Sequence, residues 1–584
     1  MYTWKLNNLY QSLSDPNFIQ DQKTLDEKID SSTSFLKQLN DKNPKVCLKD
    51  IILQFEEINL LASKLSSFIH LTLSTDATNK EFNNAMVVLR QKFVKMALPE
   101  TLFEKYVARI DNLDEVIQSD KLLQEYEFML KEIKENSMHL LSDDEEVLIA
   151  ELNQSGGSLF SKMHNDLTST LEVDYNGEVI TLSKVRNYAY DADPIVRKNA
   201  YFAELASYKK INKAASFALN GIKKQVLTLA KKRKYASPLE QTLKQCRINQ
   251  EVLESLIQAM KAYLPEFHKY LRQKAKVLGH QNGLPFYDLF APMGSCNQKY
   301  TIEEAQAFIL KNFATFSPDL EELAERAFTE NWVDYLPRQG KSGGAFCSPI
   351  YALKESRILT NFDGTISDIS TLAHELGHAY HNFIIFQERI LNSHYPMPIA
   401  ETASILCETI VKQATLKACK TNEEKLGILE QELQDSTQVV VDILSRYLFE
   451  SNVFNRVEHE FLDENTLNQI MLDAQKEAYG DGLDHQYLNE GMWICKSHYY
   501  STGRSFYNFP YAFGLLFAKG IYAQYLEKKD AFVPELRKLL KMTGKATLMD
   551  VAKTIGIDIT KESFWRSSLE VIKNDINLFI ELTK

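Results

Sequence analysis

From Asp21 to about Glu135, apolar residues recur three and four positions apart, as in Ile51, Ile52, Phe55, Ile58, Leu61 and Leu65, with few glycines to interrupt them. That period sets one face of an α-helix against a core, whereas a strand alternates its side chains with period two. Charged stretches such as "EYEFMLKEIKENS" carry apolar stripes suited to helix hairpins, and the short interruptions argue against a coiled coil. A helix bundle is predicted here. At 584 residues the chain exceeds a single compact core, and its 44% hydrophobic and 25% charged residues are globular values.

The texture changes between residues 140 and 200. Around Val173 to Leu182, Asn176-Gly177 sits at the centre of strand-type residues, the signature of a two-residue hairpin turn that needs two positive φ values. A domain junction is placed here, giving a helical N-terminal domain over residues 1–190 that ends in the hairpin and a second domain over residues 191–584. Two helices are expected from "DADPIVRKNAYFAELASYKKINKAASFALNGIKKQVLTLAKKR", and helical patterns run on to about Phe328. A second short β region, Gly343 to Phe362, precedes a helical pattern that continues from Asp368 to the end of the chain.

The formal charge of -11 argues against long-range attraction to nucleic acid or an anionic membrane. No apolar window reaches the ~20 residues of a membrane span. The first residues, "MYTWKLNNLYQSLSD", lack the basic-then-apolar pattern of a secretory signal, so a cytoplasmic protein is expected. Seven scattered cysteines (Cys47, Cys246, Cys296, Cys347, Cys407, Cys419 and Cys495) contain no Cys-x-x-Cys and read as reduced, mostly buried thiols.

The chemistry concentrates in "TLAHELGHAYHNF", Thr371 to Phe383. His374 and His378 are one helical turn apart and can grip one ion from the same face, while Glu375 is placed to reach a metal-bound water as a base. His381 lies two turns from His374, about 10 Å along the axis, too far to complete one tetrahedron. A metzincin pattern would need Gly at 381 and His at 384, where this chain has His381 and Ile384. In "PIAETASILCETI", Glu401 is the candidate third ligand. Glu408, two helical turns further on, is the candidate carboxylate that orients a histidine.

These motifs, together with "GGAF", "TNFDGT" and the Glu-x-Ala-Ser context of Glu401, resemble the thimet oligopeptidase family of zinc peptidases, specifically its oligoendopeptidase F branch. The resemblance runs from about Leu171 onward. It implies a mainly α, two-lobed helical metallopeptidase with a deep central channel and a small β-sheet beside the zinc helix, one Zn2+ per chain, and short unstructured peptides as substrates. The segment "SHYYSTGRSFYNFPYAFGLLF" resembles the family's histidine-and-tyrosine segment, which implies that His498 and Tyr511, with Tyr507 as a further candidate, reach the scissile carbonyl.

The expected function is hydrolysis of internal peptide bonds by a zinc-bound water that Glu375 activates, with His374, His378 and Glu401 as ligands and His498 and a tyrosine stabilising the oxyanion. Gly343, Gly344, Ala345 and Phe346 are expected to bind substrate by pairing with it as an added strand. The alternatives are a zinc carboxypeptidase on a related helical fold, a related aminopeptidase, and an inactive peptide-binding protein. Nucleic acid and membrane partners are not expected, and the oligomeric state is left open.

Overall fold

The computed structural model describes residues 2–39, 43–294 and 299–584, and most of them are helical. Contacts gather the chain into two compact units of interleaved segments. The first comprises Met1–Met138, Asn297–Ala414 and Gln524–Gly556, and the second His139–Cys296, Thr415–Ala523 and Ile557–Lys584. A boundary near residue 190 follows chain order, whereas compactness groups stretches far apart in sequence.

In the first unit the periodic stretch forms helices Pro16–Lys37, Pro44–Thr75 and Lys80–Ala108. Asp15, Asn43 and Asn79 each cap a helix start with a side-chain oxygen that accepts from the backbone. The second helix changes partners along its length. Its Ile51, Ile52 and Phe55 pack with Phe103, Val107 and Leu123, while Ile58, Leu65 and Phe68 pack with Leu25, Ile29 and Leu359. One helix serving two cores makes a bundle rather than the single seam of a coiled coil.

The hairpin forms as the sequence predicts. Strands β1 (Glu172–Tyr175) and β2 (Glu178–Thr181) pair antiparallel around Asn176, φ 50°, and Gly177, φ 87°. The second β region contains β4 (Phe346–Ile350) antiparallel to β5 (Glu355–Leu359). It also contains a two-residue strand the sequence did not signal, β3 (Val333–Asp334), parallel to β5. The order β3-β5-β4 leaves β4 at an edge, where Pro349, lacking an N–H, is tolerated.

The second unit includes the expected helix pair, Pro194–Tyr208 and Asn212–Lys232, and a long pairing of Gln250–Val277 with Glu562–Leu582 sealed by Tyr270 on Phe579. Helix does not continue unbroken to the C-terminus, because between Tyr479 and Phe509 the chain runs mostly through short turns. Buried side chains pin this irregular stretch: Glu450, paired with Lys223 at 2.6 Å, accepts from the Phe506 N–H at 3.0 Å, and Thr242 donates to the Ser505 carbonyl at 2.9 Å. Phe506 is held at φ 52°, a costly conformation for a bulky residue that persists only where its surroundings fix it.

Six cysteines are free, with Cys47, Cys246 and Cys407 buried and Cys347, Cys419 and Cys495 half-buried. Cys296 lies outside the described residues. Among the described residues no helix is long and apolar enough to cross a membrane.

Candidate metal centre

Helix Ile366–Ile385, the histidine helix, begins at a capping box: Asp368 N–H donates to Thr365 Oγ1 at 3.1 Å and Thr365 N–H to Asp368 Oδ2 at 2.8 Å. Fixing the first turn fixes which face each later residue takes. Ile369, Leu372, Ala373, Leu376 and Tyr380 are buried. Asn382 ties the helix to the sheet, its Nδ2 donating to Ser356 Oγ at 3.1 Å and to Cys347 Sγ at 3.7 Å.

The structure brings His374, His378 and Glu401 together, with ligand atoms within 4.8 Å of one another. Glu401 Oε2 lies 3.2 Å from His374 Nε2 and 3.4 Å from His378 Nε2. Donors about 2.0–2.1 Å from a tetrahedral zinc lie roughly 3.3–3.4 Å from each other, so both measured edges fit that ion. Glu401 occupies the turn between the short helix Met397–Ala400 and helix Thr402–Ala418 instead of a helix interior. Ser404 Oγ donates to its Oε2 at 2.7 Å.

Glu408 Oε2 sits 3.0 Å from His374 Nδ1, and Lys412 Nζ is 2.7 Å from the other Glu408 oxygen. A carboxylate on Nδ1 fixes the ring and leaves Nε2 as the donor atom, the arrangement that metal-ligating histidines usually adopt. Burial opposes charge on His374, but hydrogen bonds to Glu401 and Glu408 outweigh it and raise the imidazole to about 10. Burial likewise opposes charge on Glu401, yet the two imidazoles hold its carboxyl far below the usual range. Two carboxylates converging on one imidazole make a cluster suited to a cation.

Glu375 is 6% exposed, its Oε2 has no hydrogen-bond partner among the described residues, and burial raises its pKa. His381 is turned to other use. It is fully buried, stacks on Tyr395 at 4.1 Å, shares a 2.9 Å hydrogen bond with Thr543, and is pushed down to about 3 by burial and by His378.

Gly377 permits the close approach of the helices. A Cβ there would lie 2.5 Å from the Ala403 carbonyl oxygen and 2.6 Å from Ser404 Cα, both backbone atoms that cannot swing aside. Gly377→Ala is therefore expected to cost about 1–3 kcal/mol of stability and to loosen metal retention by displacing Glu401. Thermal unfolding measured beside metal content checks both effects, and wild-type behaviour in both would show that the contact yields without cost.

Of the substrate-binding candidates, Phe346 opens β4 and packs on Trp4 at 6.3 Å. Gly343 and Gly344 face open space, where a Cβ would meet nothing within 4 Å, and Asn361 Nδ2 holds the Gly344 carbonyl at 2.8 Å. Ala345 is the residue between these glycines and the edge strand.

His498, Tyr507 and Tyr511 belong to the second unit. Residues that sequence reasoning missed hold the histidine. Arg446 Nη1 donates to Asn508 Oδ1 at 3.1 Å, and Asn508 Nδ2 lies 2.7 Å from His498 Nε2. Arginine only donates, so the Asn508 oxygen faces Arg446, its NH2 donates to His498 Nε2, and the imidazole proton is left on Nδ1. Burial, with Arg446, Lys496 and Lys223 nearby, pushes the ring down to about 3 and keeps it neutral. Arg446 pairs with Asp442, the last residue of a π-helical turn Gln438–Asp442. The i,i+4 spacing of Asp442 and Arg446 was visible in the sequence, but nothing there tied it to Asn508. The Tyr507 and Tyr511 hydroxyls share one hydrogen bond of 2.8 Å.

The sequence matches the model of peptidase family M3 over residues 187–571 and that of oligopeptidase F over residues 97–172. It is 25% identical over 597 residues to oligopeptidase PepF of Bacillus subtilis, covering 99% of this chain and 87% of that protein. To an oligoendopeptidase F homolog of Borreliella burgdorferi it is 28% identical over 552 residues, covering 91% and 89%. A solved structure from Chlamydophila abortus shares the fold, with a TM-score of 0.86 at 23% identity over 99% of this chain and 98% of that one. The M3 match covers more than half the chain and encloses both the histidine–glutamate cluster and the segment from His498 to Tyr511, and on that ground the chain belongs to peptidase family M3.

Proposed function

We propose that this M3 peptidase is a cytoplasmic zinc oligoendopeptidase of the oligoendopeptidase F branch, within the thimet oligopeptidase group, acting on short unstructured peptides. The observation that carries the reading is the tetrahedral spacing of His374, His378 and Glu401 with the buried Glu375 beside them. Those three residues would hold the zinc ion, which would supply Lewis acidity toward a carbonyl oxygen and toward water.

The chain's own residues supply the rest. Glu375 accepts a proton from the attacking water and returns it to the leaving amine, a task that its burial-raised pKa suits. Glu408 keeps His374 in one tautomer and orientation. His498, neutral with its proton on Nδ1, and the Tyr507–Tyr511 pair are donors for the developing oxyanion. The edge strand β4, entered through Gly343, Gly344, Ala345 and Phe346, offers backbone groups to an extended peptide. An N-terminal helical domain over residues 1–190 ahead of a catalytic domain over residues 191–584 is part of the same proposal, and the start of the M3 match at residue 187 supports it.

The paired hydroxyls couple the two tyrosines, since one proton bridges them. Tyr511→Phe is expected to lower kcat and kcat/KM together by roughly 10²- to 10³-fold, and Tyr507→Phe by less, mainly in KM. The double variant should resemble the worse single one, because both remove the same chain of hydrogen bonds. Steady-state kinetics of the three variants on one quenched-fluorescence peptide decides it. Fully additive losses would mean the pair does not act as a unit.

Mass spectrometry of products from a mixed peptide library tests the reaction itself. Internal cuts are expected, and removal of residues only from free C-termini would favour the carboxypeptidase alternative instead.

A further inference from the structure

A cavity of about 160 Å³ lies within the second unit, among helix Pro194–Tyr208, the Phe286–Phe290 stretch and the irregular segment that leads to His498. Tyr190, Tyr201, Phe286, Phe290 and Met492 give it apolar and aromatic walls. A dry cavity of about 150 Å³ accepts a benzene ring, so this one has room for a single large side chain.

Its polar groups are unequally matched. Arg197 is engaged through Nε by Asp288 at 2.7 Å and through Nη1 by the carbonyls of Asp191 and Ala192 at 2.7 and 3.0 Å. Arg186 uses its Nε on Glu204 at 3.3 Å. Lys496, by contrast, lines the cavity with a side-chain ammonium that has no hydrogen bond or ion pair among the described residues. Burial is the largest cause lowering its pKa and Arg446 the next, while Cys495 and Asp442 raise it and Arg186 adds a smaller push downward. An anion placed beside it would relieve that penalty.

Asn489 adds an independent sign. It lines the same cavity at 3% exposure, and its Oδ1 has no hydrogen-bond partner among the described residues. Gln475 clamps its backbone on both sides, accepting from Asn489 N–H at 3.1 Å and donating to the Asn489 carbonyl at 2.8 Å. An orphaned buried acceptor costs about 1–3 kcal/mol unless something donates to it.

We propose that this cavity binds the C-terminal residue of a peptide, its carboxylate on Lys496 with Arg186 alongside, its amide N–H on Asn489 Oδ1, and its apolar or aromatic side chain among the tyrosine and phenylalanine rings. A free amino acid has the same carboxylate and side chain, but its ammonium would face three cationic side chains in one small space, where Glu204, the carboxylate in the lining, is already taken by Tyr208 and Arg186. That the occupant is a peptide rests on the peptidase reading; the carboxylate, the donor and the apolar group are argued from the cavity alone.

Calorimetric titration of the metal-loaded full chain with N-acetyl-L-phenylalanine, its C-terminal amide and free phenylalanine tests the proposal. The acetylated acid should bind roughly 10- to 100-fold more tightly than the amide, as expected for a hydrogen bond between charged groups. Lys496→Met should erase that preference while leaving the amide's affinity unchanged, and Lys496→Arg should keep it. Equal binding of acid and amide to the wild type overturns the proposal. So does a preference that survives Lys496→Met, which would place the carboxylate elsewhere, or tighter binding of free phenylalanine, which would assign the cavity to amino acids. Should the methionine variant fail to fold, Lys496→Gln gives the same comparison. Binding is read without turnover, and hydrolysis of a C-terminally amidated peptide is read separately, so this proposal and the peptidase reading fail independently.

Discussion

Glu375→Gln is expected to retain its metal and lose nearly all hydrolysis, a fall of roughly 10²- to 10⁴-fold in kcat, the range for loss of a positioned acid–base group. The substitution is nearly isosteric, so the packing around a residue only 6% exposed should survive. A glutamine at this site cannot accept the proton that the attacking water must release. The carboxylate is well placed for the task, because its Oε2 has no hydrogen-bond partner among the described residues to compete for that proton. Metal content measured beside single-turnover cleavage of a quenched-fluorescence peptide separates the outcomes. A metal-free variant would make Glu375 a ligand, and an active metal-loaded one would mean another residue moves the proton.

Glu401→Ala should cause the largest loss of metal, because Glu401 Oε2 lies against both histidines, at 3.2 and 3.4 Å, and its removal leaves two donors. Glu408→Ala removes only the support on the far side of His374, and such losses typically cost 10- to 100-fold in affinity. The order of the two effects is the test. Zinc retained against a graded series of chelators should fall from wild type to Glu408→Ala to Glu401→Ala. Equal retention in wild type and Glu401→Ala would remove Glu401 from the coordination set.

What could be read in the chain beforehand was whatever rests on short-range spacing. The three-four period around Ile51 to Leu65 gives helix because neighbouring turns must share a face. Asn176-Gly177 gives a hairpin because both residues tolerate positive φ, and His374 and His378 share a face because four residues make about one turn. Each of these signals is complete within a few residues, so no knowledge of packing is needed to see it.

Other features became definite only once distant segments had packed. Glu401 meets the histidines because Gly377 lets the backbone of Ala403 and Ser404 approach the histidine helix, a contact that no periodicity encodes. The proton on His498 is assigned through Asn508 and Arg446, whose meeting depends on a π-helical turn and on the pinning of Ser505 and Phe506 by Thr242 and Glu450. Strand β3 is two residues long, too short to show a period, and exists because β5 gives its backbone partners. The sequence by itself therefore determined the helical class, the hairpin and the facing of His374 and His378. The tertiary structure decided which carboxylate reaches them and how the histidine near the C-terminus is held, because a hydrogen bond between residues far apart in the chain depends on packing that local propensity does not contain.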